Sequence, residues 1–330
     1  MSLVRFWQSI IILFGLHKEV GAFVSNGAKL RQNLFLQNSF GVNKYHASLQ
    51  ATKSSDEISA FSIDLPDNIP DISILYESDR ILIVDKPSGI SHHNDEADAP
   101  GVVTVVRHQQ QKRLWGVHRL DKVTSGILIF AKDAEMASHL ATAFAEGKIQ
   151  KIYVGVSAKL KPKKRQGWVK GGMSRSRNKS WKLIRDPKDK ENFAKTRFFT
   201  AKLSPKYESD QVQDDDDSTR KFTCILFRPF TGRTHQLRVA AKSVGLALLG
   251  DPIYKDGQDD IVSERTYLHA SGISIPSIAG EAEVNLWNPP PFESLAGKSE
   301  LDSVLSVLMQ KHCDLPNLLD AASPGLKKIS

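Results

Sequence analysis

Cysteine is nearly missing from this chain: two among 330 residues, Cys224 and Cys313. They cannot build a disulfide framework, and with no CxxC pair there is no structural zinc motif. The N-terminal apolar run, Ile10 to Leu16, is too short to span a bilayer. No GxGxxG, Walker loop or HExxH occurs, so nothing points to a bound dinucleotide, a nucleotide or a zinc-protease centre. Acids are absent from Val20 to Ser55. What is present is ordinary globular material, 40% hydrophobic and 25% charged. A chain of this length and composition can bury a full core, which excludes whole-chain disorder and low-complexity fibres. Lys and Arg total 45 against 37 Asp and Glu, a formal net charge of +8. That excess favours a polyanionic partner and says nothing about fold.

Residues 1–60 read as a targeting presequence and linker. The stretch 1–22 is signal-like: Arg5, then Phe6 and Trp7, the apolar run, and the small residues Gly21 and Ala22. The stretch 23–55 is transit-like, with Lys29, Arg31, Lys44 and Lys53 among Asn, Gln and Ser. The combination resembles the bipartite presequences of algae with secondary plastids. The expected location is an organelle, a plastid ahead of a mitochondrion, with no membrane attachment in the mature form.

The body alternates strands and helices. Ile72–Tyr76 and Ile81–Val84 read as a strand pair, and Gly126–Ala131 as a buried strand. Val102–Val106 fits helix slightly better than strand. Ala134–Ala145 is a helix with Asp133 as N-cap and Gly147 as its stop. Ile149–Val156, Lys195–Leu203 and Lys221–Arg228 are strands, the last two joined by the acidic connector Glu208 to Asp217. Thr234 can cap a helix running to Gly245 whose apolar face is Leu237, Ala240, Ala241 and Val244. Tyr267–Ile275 closes the sheet. The class is therefore α+β, a mixed, mostly antiparallel central sheet with flanking helices. The main domain is expected over 61–290, ending at Pro289-Pro290-Pro291, and 291–330 as a C-terminal tail with a short helix.

Two loops carry the chemistry. The first, His118-Arg119-Leu120-Asp121-Lys122-Val123-Thr124-Ser125-Gly126, leads into a buried strand, a rigid support suited to catalysis. Its one carboxylate, Asp121, stands among cations that keep it ionised, able to act as nucleophile or base. The plainer alternative is a surface pairing with Arg119 or Lys122. The second, Arg228 through Arg238, bends at Gly232 into a helix N-terminus, a place that favours anions. The alternative there is a capped, basic surface helix.

These strings and four others resemble the RluA-type family of RNA pseudouridine synthases. HRLDKVTSG at 118–126 is followed by TGRTHQLR at 231–238 and Gly250-Asp251-Pro252-Ile253-Tyr254. Asp85-Lys86-Pro87-Ser88-Gly89-Ile90 is similar to the family's first motif, Lys151-Ile152-Tyr153 to its lysine-x-tyrosine motif, and Leu268-His269-Ala270 to its closing strand. The motifs fall in the family's order over roughly 72–275. The resemblance implies the pseudouridine synthase catalytic fold and an isomerase that converts uridine to pseudouridine in rRNA or tRNA. It implies no cofactor and no metal. Asp121 takes the place of the catalytic aspartate, Tyr153 of the tyrosine that stacks on the target base, and Arg238 of the arginine that pairs with the aspartate. Arg119 corresponds to a residue that helps hold the extruded base. Leu237 corresponds to a pocket wall, and His118, Arg233 and His235 fall at substrate-binding positions. Lys86 matches the motif in a structural role. Two departures stand out: Val239-Ala240-Ala241 replaces a stretch where many relatives carry a histidine, and residues 1–71 leave no room for an S4-type RNA-binding domain.

The rest of the RNA needs a wider surface. Lys159–Lys195 holds fourteen Lys or Arg against three acids, with Trp168, Trp181 and Phe193 interleaved. Cations for phosphates and rings for unpaired bases is the composition of a single-strand binder, against the alternative of a solvated linker with buried aromatics. Within it Gly171–Arg177 reads as a flexible loop over the site. The other functional readings are a non-catalytic RNA-binding protein on the same fold, and a hydrolase using Asp121 with His118 or His235. No patch compels a dimer, so a monomer is expected.

Overall fold

The computed structural model describes residues 69–94, 99–160, 164–184, 192–204, 222–255 and 263–312. The chain divides into two units, Met1–Ser55 and Asp56–Ser330, and every described residue belongs to the second. The presequence, the acidic 208–217 connector and Cys313 lie outside the described residues.

In chain order the elements are β1 (Ile74–Glu77), β2 (Ile81–Lys86), α1 (Val102–Gln110), β3 (Trp115–Gly116), β4 (Ser125–Ala131), α2 (Ala134–Ala145), β5 (Gln150–Ser157) and β6 (Gln166–Arg175). Then come β7 (Trp181–Ile184), β8 (Phe193–Leu203), β9 (Phe222–Pro229), α3 (Gln236–Ser243), β10 (Leu268–Ile275), β11 (Val284–Trp287), α4 (Glu293–Ala296) and α5 (Lys298–His312). One sheet runs β1-β2-β4-β10-β5-β9-β8-β6-β7, with β3 on β4 and β11 on β10. Every pairing is antiparallel except β10 with β4. This is the α+β class expected, with a mixed, mostly antiparallel sheet.

Local chemistry sets the element ends. Asp133 caps α2 by accepting the Met136 N–H at 2.7 Å. The valines 102, 103, 105 and 106 bury one side of α1, which ends at Gln111 with φ 48°. β4 is buried at every position, as its continuous apolar run requires.

Four expectations need correction. β10 does not close the sheet; it lies in the middle, parallel to β4 on one side and antiparallel to β5 on the other. Its residues are nearly all buried, the mark of a strand with neighbours on both edges. Gly171–Arg177 is not a loop over the site, because residues through Arg175 are the second half of β6. Gly171 serves close approach: a Cβ on it would stand 2.6 Å from the Ile184 carbonyl. Thr234 does not cap α3. His235 holds the cap position in the left-handed region, φ 56°, and Gln236 Oε1 accepts the Arg233 N–H at 3.0 Å instead. Finally, the helix after Pro291 is no appendage: Leu301, Leu305, Leu308 and Met309 pack with Phe199, Leu203, Cys224 and Leu226.

Three enclosed histidines make the fold acid-sensitive. Burial pushes His92, His118 and His269 down to about 3, with neighbouring cationic groups adding to it. The unfolded chain takes up these protons near pH 6.5, so stability is full above that value and falls as pH drops toward 3. Urea denaturation at pH 7 and pH 5 should show a lower midpoint at pH 5 with an unchanged slope.

Candidate active site

The loop from His118 to Thr124 is held from below by the first motif. Lys86 is fully buried, and its ammonium donates to the carbonyls of Thr124 at 2.8 Å, Pro87 at 3.0 Å and Lys122 at 3.3 Å. Ser88 Oγ donates to Val123 O at 2.9 Å, and Gly89 N to Lys122 O at 2.8 Å. Leu120 is sunk into the core, and Gly126 lets β4 touch β10, since a Cβ there would lie 2.4 Å from Ala270 O. Burial lowers Lys86 to about 8 despite the nearby Asp121 charge. Lys86→Met should leave three carbonyls without their donor. We expect a loss of about 1–3 kcal/mol in urea denaturation, with turnover falling as the loop loosens.

Asp121 emerges from this cradle with its side chain 20% exposed. Arg238 Nη1 lies 3.4 Å from its carboxylate. The tighter partner of Arg238 is another residue. Nε and Nη2 donate to Asp251 at 2.7 and 2.8 Å, a two-pronged pair in which the Asp251 side chain is fully buried. Burial works against the charge of Arg238, but Asp251 and then Asp121 outweigh it and raise its affinity for the proton. Burial likewise opposes the Asp251 charge, yet Arg238 and the N–H groups of Tyr254 and Ile253 hold the carboxyl below the usual carboxylate range. The sequence reading gave Arg238 to Asp121 alone and assigned Asp251 no part. Its signal was there, as the one acid in the 250–254 string directly after a buried leucine run.

Tyr153, on β5, is buried in the apolar cluster that also holds Leu237. Burial first, then the Asp121 charge, raises its hydroxyl above the usual tyrosine range and keeps it protonated. Tyr254 is the second tyrosine of the site. Its ring lies 5.1 Å from the Arg238 guanidinium, and its hydroxyl meets His235 Nδ1 at 2.9 Å and accepts the Trp181 N–H at 2.7 Å. His235 is lowered by burial, which the Asp121 charge partly offsets.

The residues singled out from sequence therefore separate. Asp121, Tyr153, Arg238 and His235 belong to one constellation, and Leu237 shares the main core cluster with Tyr153. Arg119 is exposed, and its charge is felt at His92, His93 and, within the constellation, His235. Arg233 is exposed on the loop before α3, its Nε donating to Phe193 O at 3.3 Å. His118 faces inward: Nε2 accepts the Ile129 N–H at 3.0 Å and the ring packs on Phe144. It braces β4. Gln236, unmarked in the sequence, locks the loop before α3 by bonding Thr231, Arg233, Lys195 and Thr196. Among the described residues no group of three or more His, Cys, Asp or Glu is placed to hold a metal ion.

Comparison with known proteins agrees with this architecture. A family model described as RNA pseudouridylate synthase matches residues 80–243. An uncharacterized RNA pseudouridine synthase of Haemophilus influenzae is 39% identical over 201 residues, 61% of this chain and 80% of that protein. Ribosomal large subunit pseudouridine synthase C of Rickettsia bellii is 31% identical over 64% of this chain and 66% of its own length. The tRNA pseudouridine(31) synthase of Saccharomyces cerevisiae is 29% identical over 58% of this chain and 48% of its own. The solved structure of human RNA pseudouridylate synthase domain containing 1 shares the fold, with TM-score 0.55, 22% identity, and coverage of 70% of this chain and 88% of that one. On fold and sequence together, the chain belongs to the RNA pseudouridine synthase family, isomerases that convert uridine to pseudouridine in RNA.

Proposed function

We propose that this enzyme modifies uridines in ribosomal or transfer RNA, that Asp121 is its reacting carboxylate, and that it works without a cofactor. The observation that carries the reading is the Arg238 guanidinium, bound two-pronged to buried Asp251 and turned with its remaining nitrogen toward Asp121. A fixed cation beside a part-exposed carboxylate orients it toward the substrate, where a carboxylate can act as nucleophile or base. The isomerisation breaks the N1–C1′ bond, turns the base, and rejoins it through C5 with loss of the C5 proton. No redox step is involved. The target must leave its stack to be reached. Tyr153 and Leu237 supply a face and a wall for the extruded base, with Arg119, Arg233 and His235 around the entrance. The Tyr153 hydroxyl keeps its proton and can donate a hydrogen bond to the base.

The enzyme acts as a monomer in an organelle, a plastid ahead of a mitochondrion. The composition of residues 1–55 supports that placement. Ribosomal and transfer RNA are both named for relatives, and the organelle contains each. The test is to incubate the full chain with C5-tritiated organellar rRNA and tRNA transcripts. Tritium in water from one class identifies the substrate; none from either overturns the proposal.

A further inference from the structure

On the far side of the sheet lies a cluster that the reaction does not use. Side chains alternate across a strand. Along β8, Ala194 packs with Val239 of α3, Thr196 bonds Gln236, and Phe198 shares the cluster of Tyr153. Lys195, Arg197 and Phe199 must then face the other way. α5 covers that reverse face at its Phe199 and Leu203 end. Beyond it stand Trp168 and Lys170 of β6, Lys195 and Arg197 of β8, Arg228 of β9, and Phe230 just after it.

Five large apolar side chains are exposed among the described residues, and the two aromatic ones are Trp168 at 39% and Phe230 at 36%. They are not scattered: their ring centroids are 5.1 Å apart. Lys170 and Lys195 each lie 4.9 Å from the Trp168 ring and Arg197 lies at 5.3 Å, while Arg228 is 5.1 Å from the Phe230 ring. Register places Lys170 opposite Lys195, and Arg197 opposite Arg228. Like charges directly opposite destabilise a sheet. Among the described residues no carboxylate lies within ion-pair distance of Lys170, Lys195 or Arg197.

We propose that this reverse face is a second RNA-binding surface. It takes an unpaired stretch of the substrate, with phosphates on Lys170, Lys195 and Arg197 and a base against Trp168 and Phe230. The inference rests on the enzyme's acting on RNA. An acidic protein would match the charge, but a single strand carries a phosphate and a flat base at every step, which suits cations and exposed rings set side by side. The route is open as well. β7 pairs only with Gly172–Arg175, so Gln166–Gly171 forms an edge without a further strand among the described residues. The other end of this hairpin borders the Asp121 site: Trp181 of β7, opposite Arg175, donates its N–H to Tyr254. A strand leaving the site can cross the hairpin and reach Trp168.

The test uses the full chain and a fluorescein-labelled 15-nucleotide oligoadenylate, which contains no uridine and so reports binding apart from catalysis. Trp168→Ala should weaken binding roughly 5- to 100-fold, and Trp168→Phe should restore most of it. Lys195→Gln with Arg197→Gln should flatten the salt dependence by about 1.4 in log–log slope. Asp121→Asn should bind as wild type does. Lys170→Glu separates binding from folding: relief of the Lys170–Lys195 repulsion should raise Tm while affinity falls, whereas a structural residue would lower both. Unchanged affinity and slope in the Trp168 and Lys195/Arg197 variants overturns the proposal. So does binding of polyglutamate in place of oligoadenylate, which would make the face a protein-docking surface. If uridine-containing transcripts release no tritium but these effects hold, the surface stands and the choice of rRNA or tRNA falls; the reverse pattern keeps the catalytic reading alone.

Discussion

Asp121→Asn should abolish tritium release from C5-labelled transcripts while leaving RNA binding and stability nearly intact. The substitution keeps the shape of the side chain and its place beside Arg238, but removes the charge and the nucleophilic oxygen. A positioned acid–base group contributes about 10²–10⁴ in rate. The proposed reacting carboxylate should stand at the upper end, so we expect a fall of at least about 10³-fold. Stability should hardly move, because the Asp121 side chain is part-exposed and Arg238 keeps its shorter bonds to Asp251. Single-turnover tritium release and urea denaturation on the same preparations separate the two effects. Release at the wild-type rate would remove Asp121 from the chemistry.

Arg238→Met should be the most destabilising single change at the site. It strands the Asp251 carboxylate, whose side chain has no exposure and only two backbone N–H donors left. Breaking one partner of a buried pair costs about 3–5 kcal/mol. The double variant Arg238→Met with Asp251→Leu should recover part of that loss, because no uncompensated charge remains. It should not recover activity, since Asp121 still lacks its cation. Denaturation midpoints of the four proteins in the cycle give the coupling. If the double variant is as unstable as the sum of the singles, the pair is not the coupled unit described here.

The second prediction was out of reach of the sequence, and the reason is specific. Arg238 had two acids to choose from, 117 and 13 positions away, and spacing along the chain does not rank them. Only the turn after Leu249 decides it, by burying Asp251 under α3. His118 shows the opposite case. It sits in the same string as Asp121, yet its ring is taken up by the β4 backbone and Phe144, so adjacency in a motif did not mean adjacency in the site.

The sequence by itself determined the class of the fold, the family, and the strings that carry the site. Apolar period, β-branched runs and caps are local properties, and Asp133 capping α2 or the buried run of β4 needs no distant partner to be read. Tertiary structure decided what depends on distant groups meeting. It put β10 in the middle of the sheet, between β4 and β5, because the choice of partners more than a hundred residues away is not a local property of its sequence. It turned Gly171 from a loop signal into a place where two strands touch. It divided the basic, aromatic-rich segment between two faces, because side chains alternate along a strand. Val169 and Met173 went inward, and Trp168 and Lys170 went outward to a surface on the far side from Asp121.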